Sequence, residues 1–400
     1  MRPAARPCAT CSTAKTASNQ PHGVRLRTQT LAATLTLAGL CAALALAHAV
    51  PVHGASKAVT GTWDRAAAAR YLDQRETWWQ NWPRAQKDHG TVCISCHTQV
   101  PYAMVRPALR RDLGEATISA PENAMLASVE KRVTNWSDMT PFYTDEKNGP
   151  GKTVEAHNTE AVLNAIILSS FDQRLGRLQS LTVTAFDNAW ALQEATGSIA
   201  GSWTWQNFHL GPWEGDESGY QTSALLLIEA RRTPDGYAKR TDVIPHLNRL
   251  RAYLQRGYEG QPLLNQLYVL WAAGEDHYLL SEVQRKALIN ALARQQNADG
   301  GWNSFALDPY ARKDHSPAPT ASDGYATGIA VLALEKSGTN RPDPLLQRGI
   351  AWLTTHQNPD GTWTAYSINK HRNPDTDPAL FMTDAATAYA VLALDQLNYR

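Results

Sequence analysis

The 400-residue chain is poor in cysteine. It has five, three of them within the first 41 positions, too few for a disulfide framework of this size. Acidic residues are absent from the first 63 positions. Lys and Arg total 38 against 37 Asp and Glu, so the basic field of a nucleic-acid binder is missing. Phe is scarce, six against thirteen Trp, and every Trp lies at or beyond Trp63. The apolar run 31–47 has 17 residues, short of the about 20 that a spanning helix needs. What remains, 43% apolar and 19% charged, is the composition of a folded globular chain.

The acid-free front end reads as an export signal. Arg2, Arg6, Lys15, Arg25 and Arg27 precede the apolar run, and Ala47-His48-Ala49 has the small-x-small form of a signal-peptidase site. Residues 1–49 are therefore expected to be a cleaved signal peptide and 50–63 a linker, placing the protein in the periplasm or outside the cell. The alternative is a membrane anchor formed by an uncleaved signal. Cleavage removes five of the 38 basic residues and none of the 37 acidic ones, leaving 33 against 37, net −4. It leaves no stable membrane span and two cysteines, Cys93 and Cys96.

Those two read Cys93-Ile94-Ser95-Cys96-His97, the C-x-x-C-H pattern of c-type haem attachment. The order has a chemical reason. Two thiols add across the two vinyl groups of haem, and the adjacent imidazole is then held beside the iron as its proximal ligand. A thioredoxin-like pair would want a βαβ context, and structural zinc would want four ligands. One covalent haem c on Cys93, Cys96 and His97 is the expectation. Met139 or His157 is distant enough along the chain to reach back as a sixth iron ligand. Met104, seven residues after His97, would pack beside the ring, and Arg106 and Arg110 are candidates for pairing with the propionates.

The rest of the chain repeats. Gln296-Asn297-Ala298-Asp299-Gly300-Gly301-Trp302 returns as Gln357-Asn358-Pro359-Asp360-Gly361-Thr362-Trp363. Each is preceded by an amphipathic helix and followed by one rich in small residues, Ala326–Leu334 and Ala386–Leu394. A looser copy runs through Gly201-Ser202-Trp203. Such periods mean stacked hairpins, none able to bury its apolar face alone. Six are expected, with first helices near 64–80, 122–136, 179–196, 242–257, 279–296 and 343–357. Their partners lie near 99–112, 155–170, 218–231, 261–273, 323–336 and 383–397. The haem motif occupies the first hairpin's connection, where later ones carry Gly-Gly-Trp.

These Gln-x-x-Asp-Gly-Gly-Trp segments resemble the QW repeats of squalene–hopene cyclases and the wider terpenoid cyclase/prenyltransferase family. The resemblance implies an all-α (α/α)6 toroid over 64–400, with haem-bearing hairpins at 64–175 and QW-like repeats at 176–400. It also implies that Gln296, Trp302, Gln357 and Trp363 clamp adjacent repeats, the Gln capping a neighbouring helix end and the Trp stacking upon it. The family's catalytic Asp-x-Asp-Asp is not matched. Its nearest counterpart is Asp375-Thr376-Asp377-Pro378, read as loop, while Asp323 and Asp384 read as helix N-caps.

A crowded connection holds Trp203, Trp205, Trp213 and Glu214, the make-up of a small-molecule cavity. The expected function is that of an exported single-haem protein on a cyclase-like toroid. It would exchange electrons with an unidentified partner or act on an apolar, isoprenoid-like molecule. If it is an enzyme, it is a haem-dependent oxidoreductase. The alternative is a terpenoid- or lipid-binding or cyclase-like protein in which haem is sensory or absent.

Overall fold

The computed structural model describes residues 62–139, 149–339, 343–374 and 376–396. The expected signal peptide lies outside them, as does nearly all of the linker. Among the described residues twelve long helices alternate between an outer and an inner ring. The outer helices are α1 (Arg65–Asn81), α3 (Ala120–Thr134), α5 (Ser180–Ala191), α7 (Ile244–Gly257), α9 (Glu282–Arg294) and α11 (Pro344–Thr355). The inner helices are α2 (Gln99–Asp112), α4 (Gly149–Leu175), α6 (Ser218–Arg232), α8 (Leu263–Glu275), α10 (Gly324–Lys336) and α12 (Asp377–Gln396). Each inner helix packs against the next, and α12 packs against α2, so the ring closes into an (α/α)6 toroid. Among the described residues no helix is long and apolar enough to cross a membrane.

Burial explains the division of labour. Outer helices bury one stripe; α7 hides Leu247, Leu250 and Leu254 and leaves its other face to water. Inner helices are enclosed on all sides, as in α10, where every residue from Gly324 to Leu334 is buried. Small side chains let inner helices approach closely. A Cβ on Gly328 would meet the main chain of Tyr389 and Ala390 on α12. Polar signals set the helix starts. Ser119 with Glu122 and Ser281 with Gln284 form capping boxes, and Asp64 and Asp343 cap α1 and α11.

The repeat signature is a clamp between neighbouring hairpins. The Gln296 side-chain amide donates to the carbonyls of Gly300 (2.8 Å) and of Leu345 in the first turn of α11 (3.0 Å). Gln357 donates to Gly361 (3.1 Å) and to Asp64 at the start of α1 (2.9 Å), and accepts from the Asp64 N–H. A third copy uses Gln193, which donates to Gly201 (2.9 Å) and to His246 in the first turn of α7 (3.1 Å). The Gln therefore bridges to the first turn of the next outer helix. Satisfying the terminal carbonyls of its own outer helix falls to the Trp. Trp203, Trp302 and Trp363 donate through Nε1 to Ala189, Leu292 and Leu353, each in the last turn of α5, α9 or α11. All three indoles are at most 2% exposed, and truncating such a residue to Ala costs about 3–5 kcal/mol.

The helix expectations hold closely, with one local difference. Asp384 does not precede a helix. Pro378 fits the first turn, where its missing N–H costs nothing, so α12 begins at Asp377 and Asp384 lies inside it. Asp377 is therefore helical, and Asp375 lies outside the described residues. Asp323 does cap α10, accepting from the Ala326 N–H (2.9 Å).

Ring closure depends on a glycine. Gly361 has φ +90°, and a Cβ there would overlap the main chain of Ala67 in α1; Gly338 has φ +84° with open space around it. Gly338→Ala is expected to lose about 1–2 kcal/mol from backbone strain alone. Gly361→Ala should lose at least about 3 kcal/mol, because overpacking adds to that strain. Urea unfolding of the two variants checks this, and equal losses would contradict a tight closure.

Candidate functional site

The C-x-x-C-H segment is pinned between α1 and α2. After α1 the chain forms a short hairpin, Gln86–Lys87 against Thr91–Val92, turning through His89 and Gly90, both with positive φ. Cys93 N–H donates to the Ala85 carbonyl (2.8 Å), and the Cys93 carbonyl accepts from Trp79 Nε1 (2.8 Å). Ser95 Oγ accepts from the N–H groups of Thr98 (3.2 Å) and Gln99 (3.0 Å), capping α2. Ser95, one of the two residues between the cysteines, thus holds the turn that carries His97 just ahead of α2.

Cys93, Cys96 and His97 line one cavity, which with its mouth spans about 970 Å³. Trp79, Trp82 and Trp213 form aromatic walls, Glu160 and Glu214 add carboxylates, and Arg84 and Lys87 add cations. An adjoining space shares His97 and Trp213 and is bounded by Phe381, Met382 and Arg372. The lining helical residues come from the C-terminal end of α1 and from the N-terminal parts of α4 and α12, so the cavity sits where these inner helices begin. Deeper in the ring Tyr268, Tyr325 and Tyr389 pack together, with the first two hydroxyls 3.0 Å apart.

Charge and protonation follow burial. Both cysteines are free thiols. Burial pushes Cys93 up to about 11 and Cys96 higher still, so neither is a thiolate at neutral pH. Burial, with Arg75 and Arg372 nearby, lowers His97 to about 3, leaving the neutral imidazole that can bind a metal. Its ring stacks on Phe381 at 3.8 Å, and its Nδ1 lies 2.8 Å from Thr98 Oγ1. Burial raises Glu214 to about 7 against the pull of Lys152. Glu160 is gripped by the Arg132 guanidinium, which also donates to Thr91 Oγ1 (2.6 Å).

The structure brings together Cys93, Cys96, His97, Trp213 and Glu214 and separates the other candidates from them. Trp203 is a core clamp residue, not a cavity wall, and Trp205 donates to the Trp213 carbonyl (2.9 Å) without lining the cavity. Met139 and His157 are absent from the lining, and the His157 ring stacks on Trp136 at 4.0 Å. Met104 is buried in the core. Arg106 is bound to Asp73 (2.9 Å) and Glu115 (2.7 Å), and Arg110 lies near Glu122; neither lines the cavity, whose cations are Arg84 and Lys87. Trp79 and Trp82, one turn apart just before the motif, carried an aromatic signal in the sequence. Phe381 and Arg372, some 280 residues downstream, carried none.

The C-terminal half of the toroid has a known likeness. Residues 264–396 match the squalene–hopene cyclase C-terminal domain family. A 90-residue stretch is 34% identical to the drimenyl diphosphate synthase of Streptomyces showdoensis, covering 22% of this chain and 14% of that protein. Among solved structures, a possible GH105-family member from Salmonella enterica serovar Paratyphi A aligns with a TM-score of 0.44 at 14% identity, over 83% of this chain and 94% of that one. A polysaccharide lyase aligns at 0.41 and 13%, over 84% and 98%. At such scores these two likenesses say nothing about chemistry.

Beneath the motif, Glu76 of α1 is fully buried, accepting through Oε1 from Gln80 (2.8 Å) and Gln99 (3.0 Å). Burial raises its carboxyl to about 8. The folded chain therefore holds this proton between pH 4.5 and 8 while the unfolded chain releases it, and stability falls with rising pH across that window. Glu76→Gln, which mimics the protonated form, should gain on wild type by about 2 kcal/mol between pH 6 and pH 8. Denaturant midpoints at the two pH values measure the gap, and a constant difference would show that Glu76 is ionised in the fold.

Proposed function

We propose that this chain is an exported, single-haem c-type protein in which a squalene-cyclase-like toroid houses the haem and exchanges electrons through it. One observation carries this reading: both thiols and the neutral imidazole of C-x-x-C-H line a single aromatic-walled cavity. The donor set fits. Each thiol would add its S–H across a vinyl group, forming a C–S bond with the hydrogen passing to carbon, and no net oxidation is needed. His97 would supply the proximal nitrogen. Arg84 and Lys87 are suited to the propionates, and Trp79, Trp82 and Trp213 would exclude water. The haem supplies one-electron exchange at its iron. Residues 1–49 would deliver the chain to the compartment where such haem is attached.

A second reading has the family match and the aromatic walls behind it: an apolar, isoprenoid-like molecule occupies the cavity, and haem is accessory or absent. Ring-forming catalysis is the weaker form of it. Asp377, in the segment nearest the cyclase acid motif, is half-exposed and paired with Arg75 at 2.9 Å. It lines neither of the two spaces described above.

Protein made with haem-maturation machinery should run as a haem-staining band and give the spectrum of one thioether-linked haem, and the Cys93→Ser, Cys96→Ser double variant should lose both. No covalent haem on chains with both cysteines intact would overturn the haem reading. Lipid extraction with mass spectrometry on the same sample then tests the second, which an empty cavity would remove.

A further inference from the structure

Asp384 is a buried acidic group next to the motif, and the functional reading so far gives it no part. It sits on α12, 286 residues from Thr98, and is 1% exposed. Oδ1 accepts from the Tyr71 hydroxyl (2.7 Å) and from Arg75 Nε (2.8 Å); Oδ2 accepts from Thr98 Oγ1 (2.8 Å). Burial pushes this carboxyl upward, and the Arg75 cation and three donors pull it back. Arg75 keeps its charge at any accessible pH. It is itself buried, and its partner Asp377 is half-exposed, so a neutral Asp384 would leave the guanidinium poorly compensated in the core. The ionised carboxylate is the form that satisfies every neighbour.

A consequence reaches His97. A carboxylate only accepts, so the one hydroxyl hydrogen of Thr98 points to Asp384. Thr98 Oγ1 then offers only lone pairs to His97 Nδ1, 2.8 Å away. The ring hydrogen must sit on Nδ1, and Nε2 is left bare. We infer that Thr98 and Asp384 are positioning residues that fix His97, before any metal arrives, in the tautomer whose Nε2 can bind iron. Metal-ligating histidines are held through their second nitrogen in this way, which sets ring orientation and raises ligand basicity. Here the holding group is a hydroxyl backed by a buried carboxylate from the opposite end of the chain. Phe381, one turn earlier on α12, stacks on the same ring at 3.8 Å, so one helix constrains the imidazole by both face and edge.

The tautomer belongs to the chain, and its consequence for iron rests on the haem reading, so the test has two arms. In the full-length chain without haem, with ring-¹⁵N histidine and the His97 signal assigned by its loss in His97→Asn, wild type should show hydrogen on Nδ1 alone. Thr98→Val, equal in shape but lacking the hydroxyl, should lose that single tautomer, and Thr98→Ser should restore it. Hydrogen on Nε2 in wild type, or a Thr98→Val spectrum unchanged from wild type, overturns the inference whether or not haem is ever attached. In haem-loaded protein Thr98→Val should raise the midpoint potential and lower the iron–histidine stretching frequency, with Thr98→Ser close to wild type. Unchanged values there overturn the claim that the relay acts on the ligand, whereas absence of haem overturns only the functional reading.

Discussion

The closure of the ring at Gly361 is the constraint on which the rest depends. A glutamine amide four residues before it, Gln357, takes hold of the Asp64 main chain through both its donor and its acceptor. The missing Cβ of Gly361 lets that approach happen. Trp363 then lies edge-on to Trp63 at 6.0 Å. Bringing the last hairpin against the first also brings α12 against α1 and α2. The Phe381 stack on His97, the Arg75 pairs with Asp377 and Asp384, and the Thr98 contact all cross this seam. The candidate site is thus assembled by closure, from residues near both ends of the described chain, and does not exist in the first hairpin alone.

Inner helices leave little room for anything but packing along most of the ring. Their enclosed small residues draw neighbouring helices together, and the three tyrosines pack where the ring would otherwise be hollow. Space opens where the inner helices begin, because there the connections join the helix ends in supplying the walls. Helix N-termini carry partial positive charge, which suits a lining that includes Glu160 and Glu214 and would suit anionic groups of a bound molecule.

The fold was legible because its signals are local. Helical periodicity, capping residues and the Gly-Trp punctuation recur within each repeat, and all twelve expected helices stand where the pattern puts them; the expected pairing does not hold throughout, since α5, α7 and α9 pack on the inner helix that precedes each of them. Gln193 escaped notice because eight residues, not four, separate it from Gly201, so the spacing that marks Gln296 and Gln357 is broken while the hydrogen bonds survive. Cys93, Cys96 and His97 were legible as a contiguous motif. Asp384 was misread as a cap because its partners Tyr71, Arg75 and Thr98 are about 300 residues distant, and no local pattern encodes a contact made by ring closure. Trp203 looked like a cavity wall beside Trp213, yet its indole is committed to the end of α5; neighbours in sequence diverged because one belongs to the clamp and the other to the loop beyond it.

The first connection also shows what a site exchanges for its place in the array. Where the Gln-Gly-Trp clamp would tie one hairpin to the next, this connection carries the cysteines and His97. The tie is made instead by side chains of α3: Ser128 Oγ accepts from the Val92 N–H (3.0 Å), and Arg132 joins Thr91 to Glu160 of α4. Main-chain clamps have been replaced by a buried ion pair, which is costly to bury and loses most when one partner is removed. Such a connection holds its shape only while Arg132 and Glu160 are both in place, and Glu160 lines the cavity. The carboxylate that lines the cavity is therefore also the one that, through Arg132 and Thr91, anchors the loop carrying Cys93 and Cys96.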